Sequence, residues 1–351
     1  MADDQQELLQ DPTMRAWWLD SDEFPAGGSV ADALRFCVRY AVLAPSGHNA
    51  QPWWFHVDGT SVTVGLDVTR GLPVLDPDDR ESLMSVGAAA FTLRVALAHF
   101  GFPVDVSTWP DPTDPHACLR LDVSGPGGVD AELDTLFDAI TRRRTSRAAF
   151  YERPVPEDVM RMLVADAEQE RATLSVIADQ TRRLAVAELV SVADREQMSD
   201  RRFRRELASW IRPTHSHRLD GIHWHGSALA ELLSAATPLV VRTFDLGDGE
   251  AARDHNLAVG SPLLAVLTTP ADDRSAWLSA GQALGRVLLR AAASDLSVGY
   301  LNQPVEVEHL RPRLSETVRV PGVPQLLLRL GYGPLTPPQP RRPAEEVLGR
   351  A

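Results

Sequence analysis

Two stretches of this chain repeat one pattern without a gap. Ser85-Val86-Gly87-Ala88-Ala89-Ala90 runs on to Ala98-His99-Phe100-Gly101-Phe102-Pro103-Val104, and Ser279-Ala280-Gly281-Gln282-Ala283-Leu284 runs on to Ala292-Ala293-Ser294-Asp295-Leu296-Ser297-Val298. In the first, Leu83, Val86, Ala90, Leu93, Leu97 and Phe100 recur at helical spacing, so a long helix is expected from Arg80 to Phe100. Its run Gly87-Ala88-Ala89-Ala90 is small enough to let another helix or a ligand come close. The second stretch predicts a long helix over Ala276–Ser294. Downstream, Cys118–Val123 matches Leu326–Gly331 in pattern; upstream, Val38–Ala44 matches Met160–Asp166. The shared order of helix, loop, strand, long helix and strand is stronger evidence of an internal repeat than any single match.

The repeats divide the sequence. An N-terminal arm over 1–28 is acidic and carries Trp17-Trp18, which should dock it. A first module spans 29–128 and a second 129–351, with an insertion or lid at about 193–256. Ser29 is a plausible N-cap for a helix over 29–43, and Asp58-Gly59 is a turn dipeptide between Trp53–Val57 and Ser61–Leu66. Further helices are expected at Ala131–Ile140, Asp158–Ala167 and Arg182–Val192, and strands at Ala172–Ile177, Pro262–Leu267 and Pro324–Leu330.

Charge and composition narrow the partners. The 351 residues carry a net charge of −13, which opposes nucleic acid as the main partner, because phosphate backbones need a basic face. No run of 18 apolar residues is present, so no membrane span is expected. The acidic N-terminus lacks the order of a signal peptide, and a cytoplasmic protein is expected. Cys37 and Cys118 sit in apolar segments and read as core residues. There is no lysine, so any anion site must be built from arginine.

Chemistry gathers in three places. Pro45 must end the first helix, and the loop that follows, Ala44-Pro45-Ser46-Gly47-His48-Asn49-Ala50-Gln51-Pro52-Trp53, offers backbone N–H groups and amides to a flat polar ligand. Arg142-Arg143-Arg144-Thr145-Ser146-Arg147 closes the helix at Ala131–Ile140, and Pro340-Arg341-Arg342-Pro343 lies in the C-terminal tail. A fourth cluster, His215-Ser216-His217 and His223-Trp224-His225, has the spacing of metal ligands. It has no cysteine and few carboxylates beside it apart from Asp220, so it reads as an exposed segment with no metal.

The loop resembles the flavin-binding loop of the FMN-dependent nitroreductases, roughly A-P-S-x-x-N-x-Q-P-W. The motif Arg143–Arg147 resembles that family's N-terminal basic motif, and Leu330-Gly331-Tyr332-Gly333 with Pro340–Val347 resembles its closing strand and phosphate-binding tail. Together these motifs resemble the Acg subgroup, in which two nitroreductase modules are fused. The resemblance implies a nitroreductase-like α+β fold, with long helices flanking mostly antiparallel sheets in a pseudo-dimeric monomer.

It implies FMN contacts from Pro45, Ser46, Gly47, His48, Asn49 and Gln51 on one side. On the other it implies Arg143, Arg144, Thr145, Arg147, Arg341 and Arg342 at the phosphate, ribityl and ring edge. It places Gln303, Pro304 and Val305 where backbone N–H groups meet the flavin, and His215, His217, His223 and His225 in a lid over it. The first module keeps the loop and the second keeps the basic motif; where a second loop would stand, the chain reads Ala165-Asp166-Ala167-Glu168-Gln169-Glu170-Arg171. One FMN between modules is therefore implied. It would be reduced by NAD(P)H and reoxidised by a small-molecule acceptor such as a nitroaromatic or quinone, with no catalytic side chain. If the lid seals the flavin, the alternative is FMN sequestration or storage.

Overall fold

Residues 11–213, 216–223, 237–243 and 246–349 are described by the structure, a computed structural model. In chain order the elements that matter are α1 (Val30–Ala41), β1 (Trp53–Asp58), β2 (Ser61–Leu66), α2 (Arg80–His99), β3 (Val104–Thr108), β4 (Ala117–Val123) and α3 (Phe137–Arg142). Then come α4 (Glu157–Gln169), β5 (Thr173–Val176), α5 (Gln180–Ser199), α6 (Arg201–Trp210), β6 (Ile211–Arg212), β7 (Ile222–His223) and α7 (Gly247–Val259). The chain closes through β8 (Leu263–Thr269), α8 (Arg274–Ala293), β9 (Ser297–Tyr300), α9 (Gln303–Glu306), α10 (Arg311–Val318) and β10 (Val323–Gly331).

The repeat is visible in the topology. One four-stranded sheet has the order β1-β2-β4-β3 and the other β5-β8-β10-β9, and every pairing in both is antiparallel. Each sheet is accompanied by a helix before its first strand (α1 or α4) and a long helix before its third in sequence (α2 or α8). The second repeat differs by two insertions, α5 to α7 between β5 and β8, and α9–α10 between β9 and β10.

The two long helices cross at the glycines that the repeat aligns. A β-carbon on Gly281 would lie 2.1 Å from the Met84 carbonyl oxygen, and one on Gly87 would lie 2.4 Å from that of Leu278. Gly87 thus meets the second repeat as Gly281 meets the first, the reciprocal contact of a two-fold interface. Nearly all of α2 is buried, which explains its long apolar run. The apolar side chains of α8 divide between two cores: Leu278 and Leu289 join the first, and Ala280, Ala283 and Val287 the second.

Local signals account for most boundaries. Ser29 and Asp32 form a reciprocal capping box at α1, with Asp32 N–H to Ser29 Oγ at 3.2 Å and Ser29 N–H to Asp32 Oδ2 at 3.0 Å. Gly59 takes φ +57° in the β1–β2 turn. The single helix expected over Ala131–Ile140 is instead split into Ala131–Asp134 and α3. Thr135 Oγ1 donates to the Glu132 carbonyl at this break, a local bond that competes with helix continuation. Arg182–Val192 proves to be part of the longer α5, and β9, α9 and α10 occupy a stretch whose sequence gave no such pattern.

Gly281→Ala is expected to lower stability by about 3 kcal/mol, because the helices must separate to admit the methyl group. Gly249→Ala, in α7 with open space around its β-carbon, should stabilise by ~0.5–1 kcal/mol. Thermal unfolding of the two variants checks both signs.

Candidate functional site

The Pro45 loop is strained and held from several directions. His48, Asn49 and Gln51 have φ of 50°, 55° and 55°. For residues other than glycine such left-handed backbone costs about 1–3 kcal/mol each, least for asparagine. Gln51 N–H donates to Ser46 Oγ at 2.9 Å inside the loop. Asn49 Nδ2 reaches the carbonyls of Gly221 (3.2 Å) and Pro340 (3.1 Å), and Gln51 Nε2 reaches that of Leu219 (2.7 Å). Arg70 Nε donates to the Ala50 carbonyl at 2.6 Å. Residues 219–221, from the insertion, therefore strap the loop of the first repeat.

The basic motif faces this loop from the second repeat. Arg143 is buried and its Nη2 donates to the Leu43 carbonyl at 3.1 Å, where the chain leaves α1. Thr145 forms an isolated parallel bridge with Val298, and Ser146 N–H donates to the Val298 carbonyl at 2.8 Å. Buried Arg329 clamps the next turn through the carbonyls of Ser146 (2.8 Å) and Ala148 (2.9 Å). Arg144 folds back onto the Thr141 and Arg143 carbonyls, each at 2.8 Å. Arg147 is exposed. Burial and the charge of Arg147 lower the pKa of His48 to about 4, so loop and motif sense one another electrostatically.

The two tail arginines diverge. Arg341 is buried, and its Nη1 donates to Asn49 Oδ1 at 2.7 Å and to its neighbour's carbonyl, Pro340 O, at 3.1 Å. Arg342 gives its N–H to Gln51 Oε1 at 2.8 Å, while its guanidinium turns to the Glu346 carbonyl at 2.8 Å. Trp17 covers the cluster: Arg144 lies 4.3 Å over its ring, Arg341 5.9 Å, and its indole N–H donates to the Gln339 carbonyl at 2.9 Å. Trp18 is 38% exposed, so Trp17 alone docks the arm over these arginines.

Three guanidiniums thus lie together. Among the described residues, no carboxylate lies at ion-pair distance from Arg143, Arg144 or Arg341. Arg143 Nη1 and Arg341 Nε are buried donors without acceptors. Burial and the neighbouring Arg143 lower Arg144 to about 10; burial, Arg143 and Arg144 hold Arg341 well below the usual guanidinium range. Uncompensated buried cations cost several kcal/mol each, and a phosphate dianion supplies both the missing charge and the acceptors. The residues present therefore fit a phosphate-bearing cofactor.

The other expected positions are more mixed. Pro304 and Val305 are buried in α9, where the Val305 N–H is taken up by the Asn302 carbonyl at 2.7 Å. Gln303 Nε2 binds Asp254 Oδ2 at 2.7 Å, and its Oε1 is buried without a partner. His217 is exposed; His223 is buried, with Nε2 3.2 Å from the Asp220 carbonyl. Asp220 is committed to Arg70, Arg212 and Arg218. His215 and His225 lie outside the described residues. Among the described residues no group of His, Cys, Asp and Glu is arranged to hold a metal.

The sequence at Ala165–Arg171 takes another course. Only residues 170–172 connect α4 to β5, against 42–52 between α1 and β1. Arg286 pairs with Asp166 (2.9 Å), Glu170 (3.2 Å) and Glu132; Arg290 pairs with Asp166 (2.7 Å) and Arg94 with Glu170 (2.7 Å). Here the charges are balanced.

No family model matches the chain. It is 33% identical over 326 residues to Rv3131 of Mycobacterium tuberculosis H37Rv, provisionally named an NAD(P)H nitroreductase, covering 91% of both chains. It is 31% identical over 325 residues to the same organism's Acg, which bears the same provisional name, covering 90% of this chain and 95% of that one. The Serratia sp. protein PigM is 26% identical over 337 residues, covering 90% and 93%. Among solved structures, a Bacteroides fragilis nitroreductase with bound FMN matches 57% of this chain and 88% of its own, at 13% identity and a TM-score of 0.36. The chain belongs to the nitroreductase family, and within it to the group of Acg.

His48 yields a test of this geometry. Its folded pKa of about 4 lies below the ordinary 6.5, so protonation opposes folding. Stability should be unaffected above pH 6.5 and fall as the pH drops from 6.5 to 4. His48→Asn, which tolerates left-handed backbone, should lose that part of the pH dependence in thermal melts.

Proposed function

We propose that the protein binds one FMN between the Pro45 loop and the Arg143–Arg147 motif and uses it as an NAD(P)H-dependent oxidoreductase. The observation that carries this is the pair of buried arginines, Arg143 and Arg341, whose unmade bonds converge beside the loop of the other repeat. The fused modules would be 29–128 and 129–351, with the arm 1–28 and the insertion about 193–256, working as a monomer in the cytoplasm. The acceptor would be a small molecule of nitroaromatic or quinone type.

When bound, FMN supplies the hydride and electron transfer. The chain's own residues hold and shield it. Arg143 and Arg341 take the phosphate, and Arg147, exposed at the mouth, adds a third cation. Arg144 and Thr145 lie beside the ribityl chain, with Arg342 fixing Gln51 rather than the phosphate. Pro45, Ser46, Gly47, His48 and Asn49 line one side of the flavin, and Gln303, Pro304 and Val305 the other. His48 stays neutral at pH 7 and adds no charge. A second flavin has no place, because the corresponding position at Asp166 and Glu170 is ion-paired.

A storage role is the second reading. The 219–221 strap and Trp17 both close over the site, and a site closed to nicotinamide would hold FMN without turning over. Stopped-flow mixing with NADH and NADPH separates the two. Rapid bleaching of the yellow protein supports the reductase; bleaching by dithionite alone supports storage. A protein that cannot be loaded with FMN refutes both.

Arg143→Ala combined with Arg147→Ala should release the cofactor, weakening FMN at least a hundredfold, since each phosphate–guanidinium bond contributes about 1.5–3 kcal/mol. Trp17→Ala should leave the fold intact and speed FMN dissociation several-fold. Both are read by recovery of flavin fluorescence on dilution.

A further inference from the structure

One buried polar atom beside the candidate site has no part in the function proposed above. Tyr300 is the last residue of β9, opposite Leu328 of β10, and its ring packs against the core of the second repeat. Its hydroxyl oxygen is buried and, among the described residues, has no hydrogen-bond partner. Burying a hydroxyl without a partner is costly, and a fold that keeps one commonly does so where a missing group completes the bond. The backbone sets Tyr300 beside the basic motif. Thr145 bridges Val298 in parallel, and Ser146 N–H donates to the Val298 carbonyl at 2.8 Å. A β-carbon on Gly299 would lie 2.6 Å from the Ser146 carbonyl oxygen, and Tyr300 follows directly.

Two charges act on the hydroxyl, one from each wall of the site: Arg143 and Glu81. Arg143 is tied by Nη2 to the Leu43 carbonyl at 3.1 Å. Glu81 brings its Oε2 to 3.6 Å from the point a β-carbon on Gly47 would occupy, under the Pro45 loop. A phenol can accept from a guanidinium, so Tyr300 and Arg143 could satisfy one another. They do not, since the hydroxyl and Arg143 Nη1 both stand without a partner, as does Arg341 Nε. These unmade bonds come from the strand beside the motif, the motif itself and the tail. Burial raises the phenol to about 12 against the pull of Arg143, so the hydroxyl keeps its proton and remains a donor through pH 9.

We propose that the Tyr300 hydroxyl is a neutral donor to the same phosphate that Arg143 and Arg341 bind. This rests on the FMN reading for the identity of the cofactor, and on the unmade bonds for the anion. A phosphate carries three acceptor oxygens, enough for all three donors. The phenol supplies a directed bond without adding another charge to a cluster whose cations already hold one another below the usual guanidinium range. It also keeps the selectivity high: a hydroxyl placed to donate strands its own proton when the acceptor is missing.

Tyr300→Phe removes the hydroxyl and keeps the ring. FMN affinity should fall roughly ten- to a hundredfold, the range for a hydrogen bond to a charged group. The melting temperature of the flavin-free variant should hold or rise, because the lost hydroxyl had no partner there. A hydroxyl that serves only the fold gives the reverse, a lower melting temperature with FMN affinity unchanged, and overturns the proposal. Inorganic phosphate separates this inference from the cofactor reading. It should raise the melting temperature of the flavin-free protein, and Tyr300→Phe should shift that response to higher phosphate by a similar factor. If FMN does not bind but phosphate does and needs Tyr300, the FMN reading fails and the anion site stands. A phosphate response identical in the two proteins, or none in either, refutes the role of Tyr300.

Discussion

Everything at the site depends on how closely α2 and α8 approach. Gly87 and Gly281 remove the two β-carbons that would stand between the backbones, and each helix then packs against a carbonyl of the other, Leu278 and Met84. Larger residues there would push the sheets apart. The loop at Ala44–Trp53 belongs to one repeat and the motif at Arg143–Arg147 leads into the other, so their separation is set by this crossing. The 3.1 Å bond from Arg143 Nη2 to the Leu43 carbonyl ties the start of the motif to the end of α1. The site is thus a property of the interface between the repeats.

Two-fold related positions have been finished in opposite ways. At one, Arg286, Arg290 and Arg94 meet Asp166, Glu170 and Glu132, and the buried charges cancel within the protein. At the other, among the described residues, Arg143, Arg144 and Arg341 meet carbonyls, an amide oxygen and the face of Trp17 but no carboxylate. Removing a carboxylate from a buried pair normally costs several kcal/mol, because the remaining charge is stranded. The fold leaves three arginines without a carboxylate partner among the described residues in one place while pairing three in the other. The segment there also runs almost directly from α4 into β5.

Much of this was legible in the sequence because it is encoded locally. Helical periodicity marked α2, the internal repeat carried α8 with it, Ser29 marked the start of α1 as its N-cap, and Pro45 marked its end. The run Gly87–Ala90 left room for another helix or a ligand, and the structure fills that room with α8. What escaped is encoded at long range. Trp17 sits in an acidic arm with no pattern to say which surface it covers. Arg341 and Arg342 are adjacent and alike, yet one is buried on Asn49 and the other is turned to Glu346, a difference set by the path of the tail. The strap at 219–221 acts partly through backbone carbonyls, which every residue possesses and which leave no signature. Glu81 reads as an ordinary acid in the first turn of a helix, where the dipole favours it; nothing in the sequence shows that its side chain is buried against Arg80.

The strain in the loop shows why these long-range contacts matter. His48, Asn49 and Gln51 are held left-handed in a stretch fixed from within by the Ser46 hydroxyl and a few short-range bonds, among them Gln51 Nε2 to the Asn49 carbonyl at 3.2 Å. Such backbone persists when the surroundings over-determine it. Here the surroundings are Arg70, residues 219–221 and residues 340–342, and two of these three segments lie outside the first repeat. The first repeat on its own would let the loop relax toward ordinary turns and lose the alignment of its amides. The insertion and the tail therefore act as part of the loop's structure, and a site that looks like one short motif is assembled from both ends of the chain.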